Sequence, residues 1–376
     1  MRLLAAVGGM AALAPILEAC ERAGLATQFE PTNTNQPSVT FTSRQPSNTV
    51  PPTDTPPAAT TEVSEPTATE TPTPTEIEGS SKVVLVKTSD RILGAQTALR
   101  LLDVVPLAGK RVFVKPNFNS ADPTPGSTHP DVLRTLVQTL QEMGTSSIMV
   151  GDRSGMGNTR AVMQQLGVFD LADELGFETI VFDDLGAQDW EEFQPMGSHW
   201  KQGFAFARPC LDADAVVQTC CLKTHRFGGV FTMSLKNSVG LVAGRHPVSG
   251  YNYMGELHNS ANQRRMIAEI NTVYQPALIL LDGVEAFISG GPDVGQKVPS
   301  GVMLAGTDRI AVDAVGAAIL RYFGANLQGG IFEQEQIARA VELGVGVDSP
   351  EKIEFITADE PSTEFAMQIK EVLDKG

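Results

Sequence analysis

The sequence predicts an α/β protein whose doubly wound, mostly parallel sheet carries helices on both faces. From Lys82 onward, short runs rich in β-branched residues alternate with segments whose apolar residues recur at helical spacing, which is the pattern of such a sheet. Several of the predicted strands are followed directly by lysine, asparagine or carboxylate side chains. The length of 376 residues exceeds that of a usual single domain, but much of the excess lies in an N-terminal fifth of unusual composition. We therefore expect one domain over residues 81–376.

Residues 1–20 have the features of an export signal. Arg2 precedes an uncharged run over residues 3–17, which is too short to span a bilayer and is typical of a secretory signal peptide. Cys20, after Leu17 and Ala19, is placed as in a bacterial lipoprotein cleavage site, although Glu18 stands where a small residue is usual. We expect an exported protein anchored to the outer face of the cytoplasmic membrane or cell envelope by a lipid on Cys20. A short N-terminal helix is the alternative.

Residues 21–80 are predicted to be a disordered tether. Between residues 31 and 79 the chain has 10 Pro and 14 Thr, and Arg44 is its sole basic residue. Such a segment buries too little apolar surface to offset the entropy of ordering it. The tether would connect a membrane anchor to the folded domain.

Charge and cysteine content exclude several classes of function. The formal net charge is −16, of which the residues after position 80 carry −10, and an acidic body without a basic stripe argues against nucleic acid as a partner. The cysteines of the domain are Cys210, Cys220 and Cys221, with no C-x-x-C spacing. We therefore expect neither an iron–sulfur cluster nor a zinc site. The three are interpreted as buried thiols, or as a source of one disulfide to Cys210 in an exported protein.

Hydrophobic periodicity gives the order of the elements. Strands are predicted over residues 82–86, 111–115, 147–151, 179–182, 215–219, 277–281, 302–306 and 353–357. Helices are predicted over residues 130–143, 263–274, 308–323, 333–343 and 363–373, with Pro130 and Asp308 well placed near helix starts. The stretch 186–208 is irregular and has no assignment.

Polar side chains follow six of these strands. In chain order they are Lys115 and Asn117; Asp152; Asp183 and Asp184; Lys223 and His225; Asp282 and Glu285; and Asp308. The carboxyl ends of parallel strands lie along one edge of a sheet, where α/β proteins place their ligands. The sequence therefore predicts that residues far apart in the chain converge on one crevice.

The chemistry of this set favours an anionic small molecule as ligand. Lys115, Lys223 and Lys236 are compact charges suited to phosphate or carboxylate, and a desolvated lysine could instead act as a base or a Schiff-base nucleophile. In the structural alternative the lysines pair with Asp152 or Asp282. His225, and with it Lys223 and Asp282, are the candidates for proton transfer.

Carboxylates near the predicted crevice also permit a divalent cation. Asp152, Asp282, Glu285, Asp308 and Asp313 have the oxygen ligands that magnesium or calcium prefers. Their spacing is weak evidence, and Asp308 as a helix cap is the simpler interpretation. The segment 151–158 could cradle an anion with its amides, but without Lys-Ser/Thr it is not a P-loop. The glycine-rich run 289–295 is interpreted as a mobile loop or lid.

These residues are similar to the domain of unknown function 362 family. The resemblance covers most of residues 82–325 and rests on Val114-Lys115-Pro116-Asn117, His129-Pro130, Leu222-Lys223-Thr224-His225 with Thr232, Leu235-Lys236-Asn237-Ser238-Val239-Gly240, Asp282-Gly283 with Gly290-Gly291-Pro292, and Asp308-Arg309-Ile310-Ala311-Val312-Asp313-Ala314. Many relatives add a ferredoxin-like cysteine cluster, which this sequence does not have. The resemblance implies a fold and a site, and it leaves the activity open.

The leading hypothesis is an extracytoplasmic protein that binds, and could transform, an anionic small molecule. Lys115, Asn117, Asp152, Lys236, Asn237 and Asp308 are its predicted ligand-binding residues. Two alternatives of other classes are a tethered solute-binding protein with two hinged lobes and a cell-envelope interaction protein without a ligand.

Overall fold

The structure, a computed structural model, describes residues 79–102, 104, 106–228 and 230–376. The predicted signal peptide, Cys20 and all but the last two residues of the predicted tether lie outside the described residues. They stay predictions from the sequence.

Twelve strands are present in the described residues. They are β1 Ser81–Lys87, β2 Arg111–Lys115, β3 Ser147–Asp152, β4 Glu178–Val181, β5 Trp190–Phe193, β6 Phe204–Ala207, β7 Ala215–His225, β8 Val230–Thr232, β9 Pro276–Gly290, β10 Gly295–Val298, β11 Val302–Gly306 and β12 Ile353–Thr357. Ten of them form one sheet with the order β12-β1-β11-β9-β7-β2-β3-β4, where β10 pairs with β9 and β8 with β7. Strands β5 and β6 form a separate antiparallel hairpin in the stretch that the sequence left unassigned.

The helices alternate with these strands. They are α1 Arg91–Leu101, α2 Pro130–Glu142, α3 Thr159–Gln165, α4 Val168–Leu175, α5 Arg208–Leu211, α6 Ser234–Asn237, α7 Tyr253–Asn259, α8 Gln263–Ile270, α9 Arg309–Tyr322, α10 Glu335–Glu342 and α11 Glu360–Asp374. Four short 3-10 turns lie at Phe182–Asp184, Ala187–Asp189, Ser238–Leu241 and Pro350–Lys352. None of the helices within the described ranges is both long and apolar enough to cross a membrane.

Both faces of the sheet are covered, as the predicted fold class requires. In β1, Val83 and Leu85 belong to one buried cluster, whereas Val84 and Val86 belong to another. Successive side chains of a strand point to opposite faces, so apolar residues on both faces mean that helices pack on each side. The α/β class with a mostly parallel, doubly wound sheet is confirmed.

Strand β11 is the exception to the parallel arrangement. It pairs antiparallel with β1 on one side and with β9 on the other, while the β9-β7-β2-β3-β4 neighbours and the β1-β12 pair are parallel. Its carboxyl end therefore lies at the edge where the other strands begin. The prediction that all six polar strand ends share one edge is wrong for this strand.

Strands β7 and β9 are much longer than predicted, because each gains a short antiparallel partner beyond the expected end. Lys223, Thr224 and His225 pair with β8, and the end of β9 pairs with β10. Lys223 and His225 are therefore strand residues and not loop residues, and all eleven positions of β7 are buried. Gly291, in the β9–β10 turn, has φ +65° and lies against the carbonyl of Thr224, so the predicted loop is packed on β7.

Candidate functional site

Most of the predicted site residues lie at the carboxyl edge of the parallel strands. This edge contains the ends of β2, β3, β7 and β9, with α6 and the loop before α2 packed against it. Three groups of side chains occur there: an ion pair centred on Lys115, a group of bases centred on Lys223, and an ion pair centred on Asp282.

Lys115 and Asp152 form a buried ion pair. Lys115 Nζ lies 2.7 Å from Asp152 Oδ1, and both residues are almost fully buried. The same ammonium donates to Asn237 Oδ1 at 3.0 Å and to the carbonyl of Pro116 at 2.5 Å. An ammonium has three donors, so none is left for a ligand. Lys115, Asp152 and Asn237, predicted to bind a ligand, instead connect β2, β3 and α6 to one another.

The second carboxylate oxygen completes this network. Asp152 Oδ2 accepts from the amide of Phe118 at 2.8 Å. Burial lowers the pKa of Lys115 against the opposing effect of Asp152. Gly240 closes the network, because a Cβ at this position would lie 2.3 Å from Asp152 Oδ1 and 2.9 Å from Lys115 Nζ. The glycine of the Lys236–Gly240 motif is thus required by the close approach of its backbone to the ion pair.

Lys223 is fully buried and forms no ion pair with any described residue. Its ammonium donates to two backbone carbonyls, that of Gly126 in the loop before α2 and, at 3.1 Å, that of Pro292 in the β9–β10 turn. Burial lowers the pKa of Lys223 to about 8, although Cys221 and, more weakly, Asp293 and Asp122 raise it. It is a desolvated lysine held by neutral acceptors.

His225 lies two residues further along β7, so its side chain is on the same face of the strand. Burial, followed by the charges of Lys236 and Lys223, lowers the pKa of His225 well below its ordinary value. Its Nδ1 accepts from the amide of Phe227 at 3.3 Å. The imidazole is therefore neutral at physiological pH, with the proton on Nε2, and offers one donor.

Lys236 completes this group from helix α6. Burial, then the charges of Lys223 and Arg153, lower the pKa of Lys236 to about 8. In the part of the chain that the structure describes, it has no ion-pair partner. Helix α6 is fixed by Asp313 of α9, which accepts from the amides of Ser234 at 2.7 Å and Leu235 at 3.0 Å. We call Lys223, His225 and Lys236 the basic cluster.

Two further polar atoms at this edge are buried without a hydrogen-bond partner among the described residues. Thr232, directly opposite Lys223 in the β7–β8 ladder, has an unpaired Oγ1, and Asn117 after β2 has an unpaired Oδ1. Both residues are more than nine-tenths buried. Buried polar atoms without partners are uncommon in folded proteins and call for an explanation such as a bound ligand or water.

Asp282 is held in its own ion pair, on β9. Its Oδ2 accepts from Arg91 Nε at 2.9 Å and its Oδ1 from the amide of Val284 at 3.0 Å. Arg91 also contacts Glu285 at 3.0 Å. Burial raises the pKa of Asp282, while Arg91 opposes the change. Burial, followed by the positive charge of Arg91, lowers the pKa of His129, the N-cap of α2. His129 is therefore electrostatically coupled to this pair.

Asp308 lies at the opposite edge of the sheet, which corrects its prediction as a ligand-binding residue. It caps α9 by accepting from the amides of Ile310 and Ala311. Its other oxygen accepts from Ser81 Oγ and from the amide of Val347, both at 2.8 Å. The physical reason is the reversed direction of β11, which places the start of α9 beside the first residues of β1.

We expect Asp308→Ala to lower the free energy of unfolding by about 2 kcal/mol, because it removes a helix cap and two further hydrogen bonds. Urea denaturation followed by circular dichroism measures this change. The matched control is Asp359→Ala, which removes a cap at the exposed start of α11 and should cost about 1 kcal/mol. A loss of anion binding by Asp308→Ala at unchanged stability would contradict the structural role.

Several residues at this edge were not predicted as site residues. Arg91 and Arg153 are the main ones, and His129 and Thr232 entered only through the family resemblance. Arg153 could have been suspected, since it directly follows Asp152 at the end of a strand. Arg91 has no local signal, because its partner Asp282 is 191 residues away. No group of three or more His, Cys, Asp or Glu side chains within the described ranges is arranged to hold a metal ion.

Fold and site together define a doubly wound α/β protein with buried ionisable residues at the carboxyl edge of its sheet. The model of the domain of unknown function DUF362 matches residues 112–318. The chain belongs to this family, as the motifs predicted.

Individual proteins that are similar to the chain include one sequence relative and one solved structure. The thylakoid-associated protein sll1697 of Synechocystis sp. is 29% identical over 217 residues, which is 57% of this chain and 64% of that protein. The chain thus matches less than two thirds of the length of this relative. The lactate racemase apoprotein of Thermoanaerobacterium thermosaccharolyticum is 16% identical, with a TM-score of 0.36, and the match covers 56% of this chain and 51% of that one. A likeness this weak gives no information about what the chain binds.

Proposed function

We propose that the chain binds a small anion, with a carboxylate or phosphate group, in the basic cluster. The observation that supports this is that two lysine ammoniums, neither paired with a carboxylate in the described part of the chain, are electrostatically coupled to each other and to the neutral imidazole of His225. Like charges brought together out of water destabilise the fold unless something neutralises them. A bound anion would do so.

The donors suit an oxyanion. The ammonium of Lys236 makes no hydrogen bond to the described residues, so its donors are free for a ligand. Lys223 contributes positive charge from a position fixed by its hydrogen bonds to the carbonyls of Gly126 and Pro292. The Nε2 proton of His225 and the unpaired hydroxyl of Thr232 are neutral donors on the same side of β7. Hydrogen bonds from ammonium groups to carboxylate or phosphate are about twice as strong as neutral ones. The chain as a whole has a negative net charge, so the attraction for an anion comes from the basic cluster itself.

The proposal concerns binding, which an enzyme and a solute-binding protein share. The ten-stranded sheet is continuous through the described residues, so the cluster does not lie between two hinged lobes. His225 and Asp282 stay candidates for proton transfer, with Asp282 held by Arg91.

The affinity for a small anion is expected to depend on Lys236. Calorimetric titration of the full chain with inorganic phosphate and with succinate at pH 7 measures it. Lys236→Met should raise Kd at least about tenfold, because the variant loses one charge-assisted hydrogen bond to the anion. Because the pKa of Lys236 and of Lys223 is lowered to about 8, affinity should fall as pH rises from 8 to 10.

Lys201→Met is the matched control. Lys201 is exposed and does not belong to the basic cluster, so the variant removes one positive charge without removing a proposed ligand and should leave Kd unchanged. An equal loss in both variants would mean non-specific attraction and would overturn the proposal. Unchanged binding by Lys236→Met, with a native circular dichroism spectrum, would do the same.

A further inference from the structure

A concave site that does not include the basic cluster lies beside the carboxyl ends of β3 and β4. It is a cleft of about 490 Å³, within the usual range for small-molecule sites. Its chemically active lining residues are Arg153, Asp183, Trp190, Arg245, Asn252 and Met254. Asp183 and the predicted anion-binding segment 151–158 contribute to the lining, whereas no residue of the basic cluster does.

Arg153 places a positive charge at the base of this cleft. Its guanidinium donates to the carbonyls of Val242 at 2.8 Å, Val239 at 3.2 Å and Ser154 at 3.2 Å. These acceptors are neutral, and the carboxylate of the preceding Asp152 is already paired with Lys115. The charge of Arg153 is therefore fixed in position without a carboxylate in contact.

The rim adds one charge of each sign. Arg245 is exposed, and its guanidinium donates to the carbonyl of Gly250 at 3.3 Å. Asp183 accepts from the amide of Thr159 at 3.1 Å and is the one carboxylate of the lining. Two guanidiniums against one carboxylate leave the cleft net positive, in a chain whose net charge is −16.

Trp190 forms an aromatic wall. It is half-buried at the start of β5, and its ring packs edge to face against Phe182, which also lines the cleft, with ring centroids 6.1 Å apart and the planes at 80°. Phe182 in turn stacks on Phe113 of β2 at 6.0 Å. A supported indole at a concave surface offers a rigid stacking face at little cost in conformational entropy.

We propose that this cleft binds an aromatic anion, such as an aryl phosphate or aryl carboxylate, with the ring against Trp190 and the charged group toward Arg153 and Arg245. The inference goes beyond the proposed function, because the cleft has its own cations and its own aromatic wall. Arg245 suits this role, since it makes one hydrogen bond to the described residues and its planar fork can bind phosphate or carboxylate in a bidentate manner. Arg153 donates to three carbonyls and to Met254 Sδ, so it contributes mainly its positive charge.

Tryptophan fluorescence tests the proposal directly. The chain has two tryptophans, and Trp200 is 2% exposed and donates to the carbonyl of Met266 at 3.1 Å. In the full chain with Trp200→Phe, Trp190 is the one tryptophan. Phenyl phosphate should quench the emission of Trp190 saturably. Inorganic phosphate lacks the aromatic ring and benzyl alcohol lacks the negative charge, so each should bind at least about tenfold more weakly.

Three variants distinguish the cleft from the basic cluster. Arg245→Gln should raise the Kd for phenyl phosphate about fivefold to tenfold. Arg100→Gln removes an exposed arginine of α1, on the other face of the sheet, and should have no effect. Lys236→Met should leave quenching by phenyl phosphate in place, even if it abolishes phosphate binding at the basic cluster.

Each outcome of these measurements either supports or overturns the proposal. Absence of saturable quenching, equal affinity in Arg245→Gln, or equal binding of benzyl alcohol would overturn the proposal. If Trp200→Phe does not fold, saturation-transfer NMR of phenyl phosphate with the unmodified chain and with Arg245→Gln replaces fluorescence. In that measurement a ring signal that Arg245→Gln weakens supports the cleft, and a signal that it leaves unchanged contradicts it.

Discussion

Replacing Asp152 by alanine is expected to lower the free energy of unfolding by about 3–5 kcal/mol, which is the usual cost of removing one partner of a buried ion pair. Lys115 is 1% exposed, and its ammonium would keep the Asn237 and Pro116 acceptors but lose its counter-charge. The amide of Phe118 would also lose its acceptor. The destabilisation arises mainly from an uncompensated buried charge and not from a lost attraction.

Urea denaturation monitored by circular dichroism measures this loss. The double variant Lys115→Met/Asp152→Leu should recover much of it, because replacing both charges by apolar groups removes the desolvation penalty together with the attraction. As a matched control, Glu174→Ala breaks the exposed Arg134–Glu174 pair and should cost less than about 1 kcal/mol. A cost of that small size for Asp152→Ala would show that the buried pair does not contribute to the fold as argued.

The stability of the protein relative to Lys223→Met is expected to rise by about 2.5 kcal/mol between pH 7 and pH 10. In the folded state the pKa of Lys223 is lowered to about 8 from the ordinary 10.5, so between these two values the unfolded chain binds more protons than the folded one. Stability rises with pH wherever the unfolded state binds more protons. The difference between the two pKa values corresponds to about 3 kcal/mol.

Urea denaturation of both proteins at intervals from pH 7 to pH 10 measures the effect, and taking the difference between them cancels the titration of distant groups. Burial raises the pKa of Cys221 to about 12 and that of Cys220 well above 9, so the neighbouring thiols stay protonated in this window. Lys201→Met, at an exposed position, is the matched control for the loss of one lysine charge. A flat difference for Lys223→Met would mean that the lysine is hydrated in the folded state.

The sequence was most informative where a property depends on local pattern. The predicted strand 111–115 coincides with β2 and the predicted strand 302–306 with β11, because apolar residues with turn signals on both sides leave little choice of boundary. The predicted helix start at Pro130 is also the observed one, with His129 as its cap. The eleven-residue helix α1, the short helices α3 to α7 and the hairpin of β5 and β6 were missed, since their formation depends on packing against the rest of the domain.

The candidate site was predictable as a region but not as an arrangement. The motifs placed Lys115, Lys223, Lys236 and Asn237 at one edge, yet they did not reveal that Lys115 is satisfied by Asp152 and Asn237. Nor did they reveal that Lys223 contacts backbone carbonyls of two distant loops. Which lysine has a carboxylate beside it depends on how β2, β3 and β7 are ordered in the sheet, and that order is not encoded in any local window.

The sequence by itself thus determined the α/β class, the family and the residue types available at the carboxyl edge, because these follow from periodicity and motif spacing. The tertiary structure alone decided the direction of β11, the extension of β7 through His225, and the separation of a satisfied ion pair from the unpaired basic cluster. The physical reason is that strand pairing and charge compensation are contacts between residues that are not neighbours in the chain, as with Arg91 and Asp282, which are 191 positions apart. The type of each side chain is local information, whereas its partner is set by the fold.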